Sequence, residues 1–314
     1  MRRIPQLAAV PLLLVGRALA HDGAELNPGH WHGAWSWEPG IIIPLAISAA
    51  LYSVGLWRIY RRNSSSPAVT PWQAASFCAG WLTLLLALDS PVHKLGEQLF
   101  SVHMSQHELL MVIAAPLLAM GRPLIAFLFA FPERTRTVVG GWTKFRPFSA
   151  TWKSLTDPLV VWILHAATIW GWHIPSLYES TLNSEAIHAL QHLMFLGTAL
   201  LFWYTLIHGR YGRLGYGVAF VYVFTTALHT SILGALMTFT QQLWYPIYDG
   251  RTAVWHLTPL QDQQLGGLIM WIPSGTVFIV VGLAMLAAWI GESERRGKLS
   301  RLAQVSSMRG GPDA

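Results

Sequence analysis

Long apolar runs separated by short polar stretches recur along this chain. A helix that crosses a hydrocarbon core of ~30 Å needs about 20 predominantly apolar residues. Seven runs approach or exceed that length: residues 41–60, 72–88, 100–120, 159–175, 186–207, 215–239 and 265–290. The pattern predicts an all-α fold, a polytopic membrane helix bundle with seven transmembrane helices. The first twenty residues read differently. Arg2 and Arg3 precede an apolar stretch of only nine residues, 7–15, and Ala18-Leu19-Ala20 has the small-x-small form of a cleavage site, so residues 1–20 are expected to be a signal peptide. The expected organisation is then an outer His/Trp-containing segment (21–39), a membrane domain (40–291) and a basic cytoplasmic tail (292–314), read as disordered from its Ser/Gly content.

Charge orients the bundle. One alternate set of connections holds Arg58, Arg61, Arg62, Arg122, Arg134, Arg136, Lys144, Arg146, Lys153, Arg210, Arg213, Arg295, Arg296, Lys298, Arg301 and Arg309; the other holds Lys94 and Arg251 alone. Because basic loops stay in the cytoplasm, this asymmetry predicts the N-terminus outside and the C-terminus inside. Those two sides agree only with an odd number of spans. Loop 121–156 mixes apolar residues with arginines and lysines and is expected to lie on the inner membrane surface.

Composition narrows the class further. Apolar residues make up 53% of the chain and charged residues 11%, against roughly 25% charged in a soluble domain. The net charge of +6 is explained by topology and attraction to anionic lipid, so nucleic-acid binding is not called for. A single cysteine, Cys78, excludes an internal disulfide and any Cys-x-x-Cys metal motif. It reads as a small buried hydrophobe.

The candidate chemistry lies in histidine. His103/His107 and His188/His192 are pairs one helical turn apart, each pair on one helix face and separated by roughly 6 Å along the axis. Ionisable groups within a membrane are costly and mark ion, proton or cofactor sites. With the N-terminus outside, both pairs fall near the outer ends of their spans, and His173 ends the fourth span at the same level. His229 falls about 21 Å along the sixth, again in the outer half, whereas His165 stands below this layer. Met111 continues the His103/His107 stripe. Neutral imidazole with thioether suits copper, above all Cu(I), so the predicted metal set is His103, His107, His173, His188, His192, His229 and Met111. Glu185 is a candidate to orient His188. His208, at an inner helix end, reads as a capping or interfacial residue, and no role is assigned to His21, His30, His32 or His165.

Three stretches carry a family resemblance. They are His103-Met104-Ser105-Gln106-His107-Glu108 with Ala115-Pro116-Leu117-Leu118 and Gly121-Arg122-Pro123; Asp157-Pro158, Trp162 to His165 and Trp170-Gly171-Trp172-His173-Ile174-Pro175; and His188 to His192 with Phe195 and Leu201-Phe202-Trp203. Together they resemble the CtaG-type assembly family of caa-type cytochrome c oxidase, in its multi-pass membrane form. The resemblance implies a plasma-membrane protein that matures a haem–copper oxidase, with oxidase subunits and a periplasmic copper donor as partners. On this reading the chain is a metallochaperone of the respiratory chain, not an enzyme. Two other readings of the histidines stand beside it: a b-type haem electron carrier with facing axial ligands, and a zinc-dependent membrane hydrolase that would need Glu108 or Glu185 near the metal.

Overall fold

The computed structural model describes residues 31–62, 67–142, 145–208 and 215–309. The expected signal peptide, His21, His30, Lys144, Arg210 and Arg213 lie outside the described residues. All regular structure among the described residues is helical. The principal helices are α1 (Pro39–Arg62), α2 (Pro71–Asp89), α3 (Pro91–Gly96), α4 (Phe100–Met120) and α5 (Pro123–Phe129). They continue as α6 (Glu133–Trp142), α7 (Arg146–Leu155), α8 (Pro158–Trp172), α9 (Pro175–Asn183), α10 (Glu185–His208), α11 (Tyr216–Phe239) and α12 (Pro259–Arg309).

Five of these helices, α1, α2, α10, α11 and α12, are long and apolar enough to cross a membrane. A sixth candidate is α4 with α5, bent by 51° between them. The bend sits at Gly121-Arg122, where Arg122 takes a left-handed conformation (φ 50°) ahead of Pro123, a conformation costing an L-residue roughly 1–2 kcal/mol. Close packing holds it there: a Cβ on Gly121 would stand 2.6 Å from Phe77 Cβ, and the Gly121 carbonyl accepts from Tyr52 Oη at 2.8 Å. Helix α8 has 15 residues, so it rises only about 22 Å.

Helix α4 is the centre of the bundle, packing against α2, α10 and α12. That position explains its composition: buried along it are Phe100, His103, Met104, Gln106, His107, Leu110, Met111 and Leu118, leaving almost no lipid-facing side. Its start is tied to α12, since Asp262 accepts from Phe100 N at 2.6 Å, Ser101 N at 3.2 Å and Ser101 Oγ at 2.5 Å. The carboxylate thus satisfies amides that a helix N-terminus otherwise leaves unpaired. Helices α11 and α12 approach through small residues, a Cβ on Gly267 falling 2.7 Å from the Gly234 carbonyl.

Two sequence expectations need correction here. The tail from residue 292 is not irregular: α12 runs on to Arg309. Glu292 pairs with Arg295 at 2.6 Å and Arg296 at 2.9 Å, spacings of three and four residues that support a solvated helix. The hydrogen bond from Arg296, reinforced by Arg295, holds the Glu292 carboxyl below its ordinary range. Cys78 is exposed rather than buried. The buried stripe of α2 is Gln73, Ser76, Phe77, Gly80, Leu84 and Ala87, and Cys78 falls off it by one helical step. Loop 121–156 forms α5, α6 and α7, with Arg62 paired to Glu133 at 2.9 Å.

Candidate metal centre

Five histidines converge at one end of the bundle, and one of them was not anticipated. His103 and His107 come from α4, His188 and His192 from α10, and His93 from the short helix α3. Ser90 caps α3, its Oγ accepting from Val92 N at 3.3 Å, and Pro91 starts the helix. This turn folds His93 back over the ends of the longer helices. Ligand nitrogens of His93, His188 and His192 lie within 4.8 Å of one another, and so do those of His103, His107 and His192. His192 belongs to both triads. Metal–imidazole bonds are about 2.0 Å, which places donors on one ion no more than about 4 Å apart, so small ring rotations close either triad.

The rings pack directly on one another. Centroids are 4.4 Å apart for His103/His107, 4.3 Å for His188/His192, 5.1 Å for His103/His188 and 5.2 Å for His93/His188. Hydrogen bonds around the cluster set tautomers. His103 Nε2 donates to Gln191 Oε1 at 3.3 Å, leaving the Nδ1 lone pair directed elsewhere. His173 Nδ1 donates to the Ile169 carbonyl at 2.6 Å, which leaves Nε2 as its available nitrogen. Gln106 Nε2 donates to the Ala87 carbonyl at 2.7 Å and to His93 Nδ1 at 3.1 Å.

Six ring nitrogens here are buried without a hydrogen-bond partner: His103 Nδ1, both nitrogens of His107, and Nε2 of His173, His188 and His192. A buried polar atom that goes unpaired costs about 1–3 kcal/mol. Gathered in one place, such nitrogens are a set that could hold one cation. The donor set is all nitrogen and uncharged, which fits Cu(I) or another borderline-soft ion and not a hard oxygen-seeking one.

Of the predicted residues, His103, His107, His188 and His192 are brought together. His173 lies beside them, its ring 6.4 Å from His107, but completes neither triad. His229 is turned elsewhere: Nδ1 accepts from Trp170 Nε1 at 3.4 Å and the ring meets Trp162 at 5.5 Å. Helix α11 directs Thr226, Thr230, Leu233 and Met237 inward, and His229 is off that face. Met111 lies in the hydrophobic core, its carbonyl accepting from Trp203 Nε1 at 2.9 Å. It falls in a π-helical stretch, Leu109–Ala114. A wider turn ends the step of four residues that would have extended the stripe, and such turns occur often at functional sites. His165 pairs with Thr198 Oγ1 at 3.0 Å, and His208 Nε2 with the Ala119 carbonyl at 2.8 Å.

Three tyrosines roof the cluster. Tyr178 Oη donates to Tyr248 Oη at 2.7 Å, which donates to the Gly96 carbonyl at 3.0 Å; Tyr245 Oη donates to the His173 carbonyl at 2.8 Å. Tyr178 also touches the His103 ring, at 5.2 Å. All three phenols of this roof are buried. Its sequence signal was weak, because aromatic residues beside a membrane most often serve as interfacial anchors.

Fold and site together define a membrane-type helix bundle with a buried cluster of imidazole donors. The sequence pattern of the cytochrome c oxidase caa3 assembly factor family (Caa3_CtaG) matches residues 50–292, and the chain belongs to that family. It is 24% identical over 298 residues to an uncharacterized protein of Mycobacterium leprae, covering 91% of this chain and 45% of the relative. Uncharacterized proteins of Mycobacterium bovis and Mycobacterium tuberculosis are each 24% identical over 267 residues, covering 83% of this chain and 40% of theirs. The chain thus spans less than half the length of the curated relatives it matches. No solved structure matches it.

Proposed function

We propose that this protein is a metallochaperone that binds Cu(I) at the histidine cluster and delivers it, without covalent change, to a haem–copper oxidase being assembled at the bacterial plasma membrane. The observation that carries the reading is the pair of buried imidazole triads sharing His192. Membership of the oxidase assembly family supplies the process. In this reading α8 joins the six longer candidates as a seventh span, short but extended by α9, with the N-terminus outside and the C-terminus inside. The histidine end is then the outer end, where a periplasmic donor can reach it. The imidazoles act as neutral ligands: Gln191 keeps the His103 proton on Nε2, and the Ile169 carbonyl keeps the His173 proton on Nδ1. Uncharged donors hold a monovalent ion without trapping it, as a carrier requires.

Direct ring-on-ring packing at 4.3–5.2 Å leaves no gap for a macrocycle, which favours an ion over haem. A zinc hydrolase is the second reading; it needs a carboxylate beside the metal, and Glu108, buried with Oε2 unpartnered, belongs to neither triad, so the carrier reading is preferred.

Purified protein should retain about one Cu(I) in competition with a chromophoric chelator. His103→Ala/His107→Ala should abolish retention and His208→Ala should not; full retention in the double variant would refute the site, and equal loss from both would mean damaged folding. In cells, His188→Ala/His192→Ala should leave oxidase polypeptide present but copper-deficient at unchanged abundance of the variant. Full oxidase activity under copper limitation would make the paired histidines structural.

A further inference from the structure

The cluster has a sided approach. A groove of about 420 Å³ opens between α1, α3 and α10, with His93, His188 and His192 in its wall and Glu38, Glu97 and Glu185 among its lining. His103 and His107 do not line it. Exposure agrees: His93, His188 and His192 are 7, 7 and 8% exposed, and His103 and His107 are 0 and 1%. The two triads are therefore an outer one that meets the groove and an inner one sealed behind it. The orphaned Nε2 atoms of His188 and His192 belong to residues that face a largely apolar groove whose lining includes those three carboxylates.

We propose that this groove is the route by which the metal cation is loaded and released, in two stages joined by His192. The three carboxylates draw a cation to the groove. His93, His188 and His192 take it first; then His103 and His107 replace His93 and His188 while His192 stays bonded, so the ion is never free in the apolar interior. His192 is placed for this, with its ring 4.3 Å from His188 and 5.5 Å from His107. The ion keeps its oxidation state, so the steps need no reductant; His93 binds through Nδ1 by giving up the hydrogen bond it accepts from Gln106 Nε2, keeps its proton on Nε2, and regains that bond when it is replaced, so no proton is released. Lys94 tunes the approach. Its ammonium lies 3.9 Å from Glu38 Oε1 and 3.7 Å from Glu97 Oε1, so the side chain competes with an incoming cation for the same carboxylates.

This route rests on the metal-binding reading above, and kinetics separates the two. The probe is Ag(I), a redox-silent ion of the same charge and softness as Cu(I), mixed rapidly with full-length protein in detergent at low salt. Wild-type binding at equilibrium tests the reading; failure there refutes the metal site itself. Given binding, Glu38→Gln/Glu97→Gln/Glu185→Gln should slow loading and release alike, each roughly tenfold, within the range by which charged clefts change association rates, and the difference should shrink at high salt. Lys94→Gln should speed loading. His93→Ala should slow loading while the loaded ion is kept, whereas His107→Ala should load quickly and lose the ion quickly. Wild-type loading rates in the triple variant, or identical effects of His93→Ala and His107→Ala, would overturn the route while leaving the binding site standing.

Discussion

Gln191 gives the sharpest test of how the cluster is built, because its replacement separates metal affinity from folding. Its side chain is fully buried, Oε1 accepts from His103 Nε2 at 3.3 Å, and Nε2 is without a partner. In Gln191→Leu, of similar size, two effects on stability oppose each other. The His103 N–H loses its acceptor, costing about 1–3 kcal/mol, while the unpaired Gln191 amide nitrogen, a burden of similar size, disappears. Net stability should stay within about 1 kcal/mol of wild type, the spread expected when two such penalties cancel. Metal affinity has no compensating gain. Loss of a partner that orients a ligating imidazole costs 10–100-fold, about 1.4–2.8 kcal/mol, because the ring is freed to rotate and the proton on Nε2 is no longer held away from Nδ1. The assay is Cu(I) competition titration beside thermal unfolding of the apo protein in the same detergent. An affinity within twofold of wild type would show that His103 does not ligate through Nδ1, and a large fall in unfolding temperature would show that Gln191 serves the fold.

Two further outcomes are expected. A reporter active only in the cytoplasm, fused after residue 314, should give signal if seven spans are crossed, and activity from a reporter confined to the outer space would refute that topology. Asp262→Asn should destabilise the protein by about 1–3 kcal/mol, since it places an amide N–H₂ against the donors of Phe100 and Ser101; it should also weaken Cu(I) binding through His103, one turn further on, and unchanged unfolding would mean that α4 does not need this cap.

Sequence alone determined what depends on local period and on membrane thickness. The run 186–207 became Glu185–His208, and 100–120 became Phe100–Met120, because a helix that must bury its own backbone bonds in lipid has its ends set where polarity returns. The pairing of His103 with His107 and of His188 with His192 followed from the pitch of the helix. Tertiary structure decided the rest, wherever the outcome depended on how a helix is rotated about its axis or where a turn sends the chain. His93 joins the site through a six-residue helix whose direction is set by Ser90 and Pro91, a placement no periodicity encodes. His229 has neither the level nor the angle: it packs against Trp162 and Trp170 of α8, while Met237, further along α11, is the residue that reaches the level of His173 through Tyr245. The tail became helix through pairs such as Glu292 with Arg296, where composition had suggested disorder. Position along a helix is a one-dimensional property that sequence carries directly; the level at which neighbouring helices meet and their azimuth come from packing against partners distant in the chain, and the two together select which histidines meet.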